Sequence, residues 1–524
     1  MKVSMKSGAM ALMVGMTALP SIAAAENVLK WGSQRDIFSL DPYSIGSTSN
    51  LAFLNHIYEG LVRYTPTFEI EPALAESWEF IEPNVWRFKL REDVTFHNGA
   101  TFDADDVMAS MERVSHPDSP LRGNIPTFVS ATKVDDFTVD IKVQSANPLF
   151  LNDMTNIFMF DADWLMDNDA MGPTDIASDT QNYTSHNTNG TGPFVLLERI
   201  PDTRAILEVN PDWWDEAKHN LDRIEFTPIT SAPTRVAALI SGEIDLTDAA
   251  PIQDVSRLEA TPDVQVVTGS DLRTVSIGMN RQETLKDGRD NPFNNADLRE
   301  AVDLAIDRDL INDRIMSGLA NPTGVLVAPA IPGYDETLDT YEYNPDRARE
   351  LISQAGFEGL NFVLQCASDE SINEEQACQA LISMLTQVGL EPTLDIAPRA
   401  VQSPKRSNRE ADMYLLGWAN EPTLDAYSML VQVLSTREGA AGLANYGGWS
   451  YPEIDRLTQE AATTMDREAR LALEAEALGI AKEENAMIPL WQQPMVWAMS
   501  DAIEDITIRP DNKPRHWLTV MSQD

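Results

Sequence analysis

Between Trp86 and Val114 the apolar positions change period. Trp86, Phe88 and Leu90 alternate with Val85, Arg87 and Lys89. That alternation predicts a half-buried strand with an aromatic face inward and a basic face outward. Asn98-Gly99 predicts a tight turn, because glycine accepts a positive φ without a steric penalty. Asp103 is placed to cap the next helix, with Asp106 three residues on in a box-like spacing. Val107, Met111 and Val114 put one apolar stripe on that helix. Val134, Phe137, Val139, Ile141 and Val143 then predict a hairpin over 132–143.

Elsewhere the pattern alternates between the two periods. Strands are expected at 28–32, 194–197, 221–226 and 413–418, and a helix from about 49 to 61. Leu298, Val302 and Ala305 share one helical face in 295–308. A helix over 344–356 has Pro345 near its first position and Gly356 past its end, with Ala348, Leu351 and Ile352 as its apolar face. An apolar strand at 362–366, a helix ending at Gly389 and a strand at 392–396 make a β-α-β unit, which favours a parallel sheet with helices on its faces. The fold class is α/β.

Residues 1–25 stand apart. Lys2 and Lys6 precede an apolar run from Ala9 to Ala18, and Ala23-Ala24-Ala25 is a small-residue cleavage site. This reads as a secretory signal peptide, with an apolar core too short to span a bilayer. The mature protein is expected to be exported, and periplasmic in a cell with two membranes. Across the chain 82 acidic residues outnumber 39 lysines and arginines, for a formal net charge of −43. The acid is dispersed, which argues against nucleic acid or an anionic membrane as partner. Export permits a disulfide between Cys366 and Cys378, and two buried thiols fit the sequence equally. The six histidines are scattered without metal-ligand spacing, and no nucleophile elbow or phosphate loop is present. No metal, no cofactor and no catalytic residue is expected.

Several spaced elements match one known pattern together. Pro72-Ala-Leu-Ala-Glu-Ser-Trp78, Trp86-Arg-Phe-Lys-Leu-Arg-Glu-Asp-Val-Thr-Phe-His-Asn-Gly99 and Phe102-Asp-Ala-Asp-Asp-Val107 resemble the peptide/nickel class of solute-binding proteins, family 5. His56-Ile-Tyr-Glu-Gly-Leu-Val-Arg-Tyr64, Gly242-Glu-Ile-Asp-Leu246 and Tyr446-Gly-Gly-Trp-Ser-Tyr-Pro-Glu-Ile-Asp455 extend the resemblance over essentially the whole mature chain.

The resemblance implies a two-lobe periplasmic-binding-protein fold, type II-like. A first lobe would comprise 26–275 and 490–524, with an accessory subdomain at about 65–180, and a second lobe 276–489. Crossings between lobes are expected near 276–280 and 488–491. The implied function is delivery of a short peptide or similar small amine-bearing solute to the permease of an ABC importer, by a monomer that does no chemistry on it. A secreted hydrolase, or a chaperone or chemosensory adaptor, is the alternative on the same fold.

In peptide-binding relatives an acid shortly after Gly417-Trp418 meets the ligand's ammonium, which makes Glu421 and Asp425 candidates. Trp418 would supply an apolar wall or a cation–π face. Tyr43 and Thr48 follow the Leu-Asp-Pro turn that approaches the ligand in the family, and Asn445, Tyr446 and Trp491 are placed in nearby segments. One departure stands out. Dipeptide binders carry an arginine after the strand at 362–366, where this chain has Ala367-Ser368-Asp369.

Overall fold

Two strands are much longer than the others, Val264–Met279 with 16 residues and Met487–Ser500 with 14. The second is buried along almost its whole length, because both faces of the sheet are covered there. These antiparallel neighbours form the middle of one eleven-stranded sheet in a computed structural model that describes residues 26–82 and 84–522. The signal peptide read at 1–25 lies outside the described residues.

On one side of the pair lie Met413–Trp418, Asn361–Ala367 and Glu391–Ala397. The last two pair in parallel, joined by the helix Glu374–Gln387, as the β-α-β pattern requires. On the other side lie Leu246–Thr247, Val28–Ser33, Arg223–Pro228, Arg204–Val209 and Phe194–Ile200, and the short Asn321–Pro322 also pairs with Met487–Ser500. The two-lobe α/β architecture is thus strung on two shared strands. The ladder between them breaks at the middle: Ser270 pairs with Pro494 and Thr274 with Gln492, so three residues, 271–273, oppose Gln493 alone.

The first-lobe core is aromatic, with Trp31, Phe53, Phe88, Phe150 and Phe160 all buried. Its accessory part is a four-stranded antiparallel sheet of Ala75–Glu82, Val85–Leu90, Thr138–Val143 and Phe128–Asp135. Trp86, Phe88 and Leu90 face inward as their alternation predicts. The helix Ala104–Ser115 starts with a complete capping box, Asp103 accepting from the Asp105 N–H and Asp106 accepting from the Asp103 N–H. Inside that lobe the Leu-Asp-Pro turn is fixed by a buried ion pair, Asp41 with Arg113, and by hydroxyls of Thr174 and Thr184 that donate to the same carboxylate.

A mainly aliphatic cluster runs along a sheet face shared by both lobes, from Val236 and Leu239 through Val275 and Ile277 to Leu364 and Leu415. Cys366 and Cys378 are joined as a disulfide with their Cα atoms 6.7 Å apart, within the reach a bridge needs.

One expected element is shorter than its pattern. The helix drawn over 49–61 is Thr48–Leu54. Past Asn55 the backbone carbonyls turn to a neighbouring loop, His56 O accepting from Phe194 N–H and Ile57 O from Gly192 N–H. Gly190 and Gly192 permit this approach, since a Cβ on Gly190 would lie 2.0 Å from Ile57 O and one on Gly192 2.7 Å from His56 O.

Candidate functional site

The strand Met413–Trp418 ends at the sheet centre beside the break in the ladder. Strand side chains alternate, so its last two residues look opposite ways. Trp418 and Leu416 share a face with Thr274 and Ser276, and Gly417 shares the other with Val275. The loop that follows, 419–425, reaches the first lobe. Thr48 Oγ1 donates to Glu421 Oε2 at 2.8 Å, and Lys513 Nζ lies 3.0 Å from Glu421 Oε1. Tyr64 Oη and Asn152 Nδ2 both donate to Thr423 O, at 2.8 and 2.9 Å. Burial pushes the Glu421 carboxyl up, but the Lys513 ammonium, the Thr48 hydroxyl and the Arg273 guanidinium outweigh it and hold the group below its ordinary value.

One space opens beside this loop and another beside the break in the ladder. The first, of about 770 Å³, lies between the accessory part of the first lobe (Pro126, Leu149, Asp153) and the second lobe (Trp418, Tyr427, Val431). Its walls are mostly apolar, and Glu421 lies at its edge. Asp153 adds no full charge at neutral pH, since burial lifts its carboxyl to about 8 against one hydrogen bond from Asn147. The other, of about 380 Å³, is polar and is lined by Arg35 from the first lobe, Asp369 and Ser371 from the second, and Asp271, Arg273 and Gln493 from the crossing strands. Burial raises the Asp271 carboxyl to about 6 against the pull of Arg273 and of hydrogen bonds from the Arg273 N–H and Gln493.

The candidate residues divide. Trp418 and Glu421 line the apolar space, and Thr48 reaches it only through its hydrogen bond to Glu421. Asp425, Tyr43, Asn445, Tyr446 and Trp491 line neither space. Asp425 is turned into the second lobe, where its carboxylate meets Arg470 at 2.8 Å, and Arg470 also meets Glu474 at 2.8 Å. Tyr43 is buried and donates to Phe158 O. Asn445 is buried too, its amide tying Ser435 O and Trp449 O while its oxygen accepts the Gly448 N–H. Tyr446 packs on Tyr414 under Arg406. Trp491 belongs to the aliphatic cluster that both lobes share. Asp425, Tyr43, Asn445 and Tyr446 have their partners inside the fold, whereas the buried Trp491 Nε1 meets no acceptor among the described residues. Sequence reasoning missed Arg273, Arg35 and Lys513. They belong to no motif, and Lys513 lies 92 residues beyond the glutamate it meets.

Among the described residues, the group with metal-ligand spacing is Cys366, Glu374 and Cys378, and the disulfide takes both sulfurs. No helix among them is long and apolar enough to cross a membrane.

Residues 69–441 match the profile of the bacterial extracellular solute-binding proteins, family 5 (middle region), which is most of the chain. The chain belongs to family 5. It is a solute-binding protein. Within family 5 its relatives include the glutathione-binding protein GsiB of Salmonella paratyphi A, 26% identical over 512 residues that make up 96% of each chain. The fold is shared with the periplasmic binding protein DppA of Helicobacter pylori in complex with the peptide STSA, at a TM-score of 0.78 and 24% identity over 95% of this chain and 98% of that one. It is shared as well with the substrate-binding protein CtaP of Listeria monocytogenes, at a TM-score of 0.82 and 20% identity over 95% and 99%.

Proposed function

We propose that this chain captures a short peptide or similar small amine-bearing solute between its lobes and hands it unchanged to the permease of an ABC importer. The observation that carries the reading is the loop 419–425, which grips the first lobe through Glu421 and Thr423 and lines the apolar space between the lobes, while Arg273, whose charge acts on Glu421, lines the polar one. A solute that fills those spaces touches both lobes and so favours the closed state over the open one. Apolar walls around Trp418 supply burial, and the polar space supplies orientation. The names of the glutathione-binding relative and of the peptide-bound fold neighbour support a peptide-like cargo. We take 26–275 with 490–524 as the first lobe and 276–489 as the second, with the shared strands as hinge, and a periplasmic monomer as the working form.

The test is direct. A pool of short synthetic peptides is added to the purified chain, and X-ray scattering, melting temperature and the recovered peptides are followed. The expected result is a smaller radius of gyration, a raised melting temperature and peptides returned intact. Cleaved peptides would point to a hydrolase, and no change in shape or melting would remove peptide capture.

A further inference from the structure

Asp271, Leu272 and Arg273 stand out of the ladder at the crossing between the lobes, three residues against Gln493 alone. A bulge of this kind re-aims side chains. Leu272 turns into the core, and its N–H is held by Pro510 O. Asp271 and Arg273 turn into the polar space. The stem of Arg273 lies across Gly417, where a Cβ would sit 2.6 Å from its Cδ and 3.0 Å from its Cγ. The missing side chain at Gly417 is what lets the arginine lie there.

Among the described residues, the Arg273 guanidinium has no hydrogen-bond acceptor and no carboxylate oxygen within 4.0 Å, although the group is half-buried. A shortage of acids does not explain this in a chain with 82 of them against 39 lysines and arginines. The acids around the space have other donors. Gln493 Nε2 donates to Asp271 at 2.9 Å, Arg406 pairs with Glu370 at 3.0 Å, the Arg399 N–H meets Asp369 at 2.6 Å and Trp31 Nε1 meets Asp248 at 3.3 Å. Of the other cations there, Arg235 donates to the carbonyls of Ile229 and Ala249, and Arg35 on the first-lobe wall has no side-chain partner either.

We infer that Arg273 is the anion-recognition residue of the cleft: a carboxylate of the captured solute lies on its guanidinium, with Arg35 facing it from the first lobe. This deepens the peptide-capture reading and rests on it. A guanidinium offers two parallel N–H donors that match a carboxylate. Asp271 and Glu421 feel this charge from a distance, but a half-buried guanidinium whose N–H groups meet no acceptor is unfavourable once the cleft closes, and the solute removes that cost. Glu421 is already matched by Lys513 and Thr48. The carboxylate of the cargo, rather than its amine, therefore sets the affinity.

The test uses two pools of short peptides without Asp or Glu, one with free C-termini and one C-terminally amidated, on the whole mature chain. The free-acid pool is expected to raise the melting temperature of the wild type, and its best binder to lose at least tenfold in affinity on amidation. Arg273→Gln is expected to bind acid and amide within twofold of each other, and Arg273→Lys to keep part of the preference. The melting of each cargo-free variant checks that it folds. Equal binding of acid and amide by the wild type would overturn the subsite and leave peptide capture standing. No response to either pool would overturn the capture reading, and the subsite with it.

Discussion

The loop 419–425 is held at its two ends in different ways. At the Glu421 end the partners are Thr48 and Lys513 of the first lobe, with side chains of Lys513 and Glu421 still 15% and 23% exposed. At the Asp425 end the partner is Arg470, inside the second lobe, and Asp425, Arg470 and Glu474 are all at most 5% exposed at their side chains. One end must let go whenever the lobes part, and the other has no reason to. A carboxylate in the same short segment is a latch at one position and an anchor at the other. What decides is the distance from water and the lobe that supplies the cation.

The largest effect that would break this contrast is at the anchor. Arg470→Met leaves the Asp425 carboxylate buried without its cation, beside Glu474, whose carboxyl is pushed up to about 9 by burial and by Asp425, and removal of one partner from a buried pair costs about 3–5 kcal/mol. Denaturant unfolding should show a loss of that size. A loss below about 1 kcal/mol would mean that the Asp425 end is no anchor. Next in size comes Trp418, at the start of the loop, on the wall of the apolar space. Trp418→Ala is expected to weaken binding of the tightest peptide at least tenfold, or about 1.4 kcal/mol, while the cargo-free protein stays folded. Unchanged affinity by calorimetry would take Trp418 out of the site and shift the binding surface towards the polar space alone.

The fold was legible wherever local pattern and tertiary role agree. Strand alternation at Trp86–Leu90 and the cap at Asp103 are set by neighbours a few residues away, and both stand in the structure. The expected helix over 49–61 failed because its end depends on a loop more than 130 residues further on, which captures the carbonyls of His56 and Ile57. The site divides on the same principle. Gly417-Trp418 and the acids after it mark the strand end, which is a local signal. Which way Glu421 and Asp425 turn depends on Lys513 and Arg470, 92 and 45 residues away. Arg273 gave no signal, because a bulge in a shared strand is a property of pairing and not of sequence spacing.

The smallest effect tests the latch by pH. In the closed state the Glu421 carboxyl is held below its ordinary value of 4.5 by Lys513, Thr48 and Arg273, in spite of burial. Opening returns it to water and to that ordinary value. The ionised group therefore favours closure in full above pH 4.5, and the contribution fades as pH falls through the lower value held in the closed state. With both side chains partly in water, the pair contributes about 1 kcal/mol, which is about fivefold in the ratio of closed to open molecules. Below pH 5, where Asp153 and Asp271, raised to about 8 and about 6, are already protonated, scattering from the cargo-free chain should show an increase in radius of gyration. General acid expansion gives the same trend, so the decisive comparison is Glu421→Gln: it removes the titrating group and should lose most of the step. A variant that still opens with the wild-type profile would show that the lobes are held by something else, and Glu421 would then be no more a latch than Asp425.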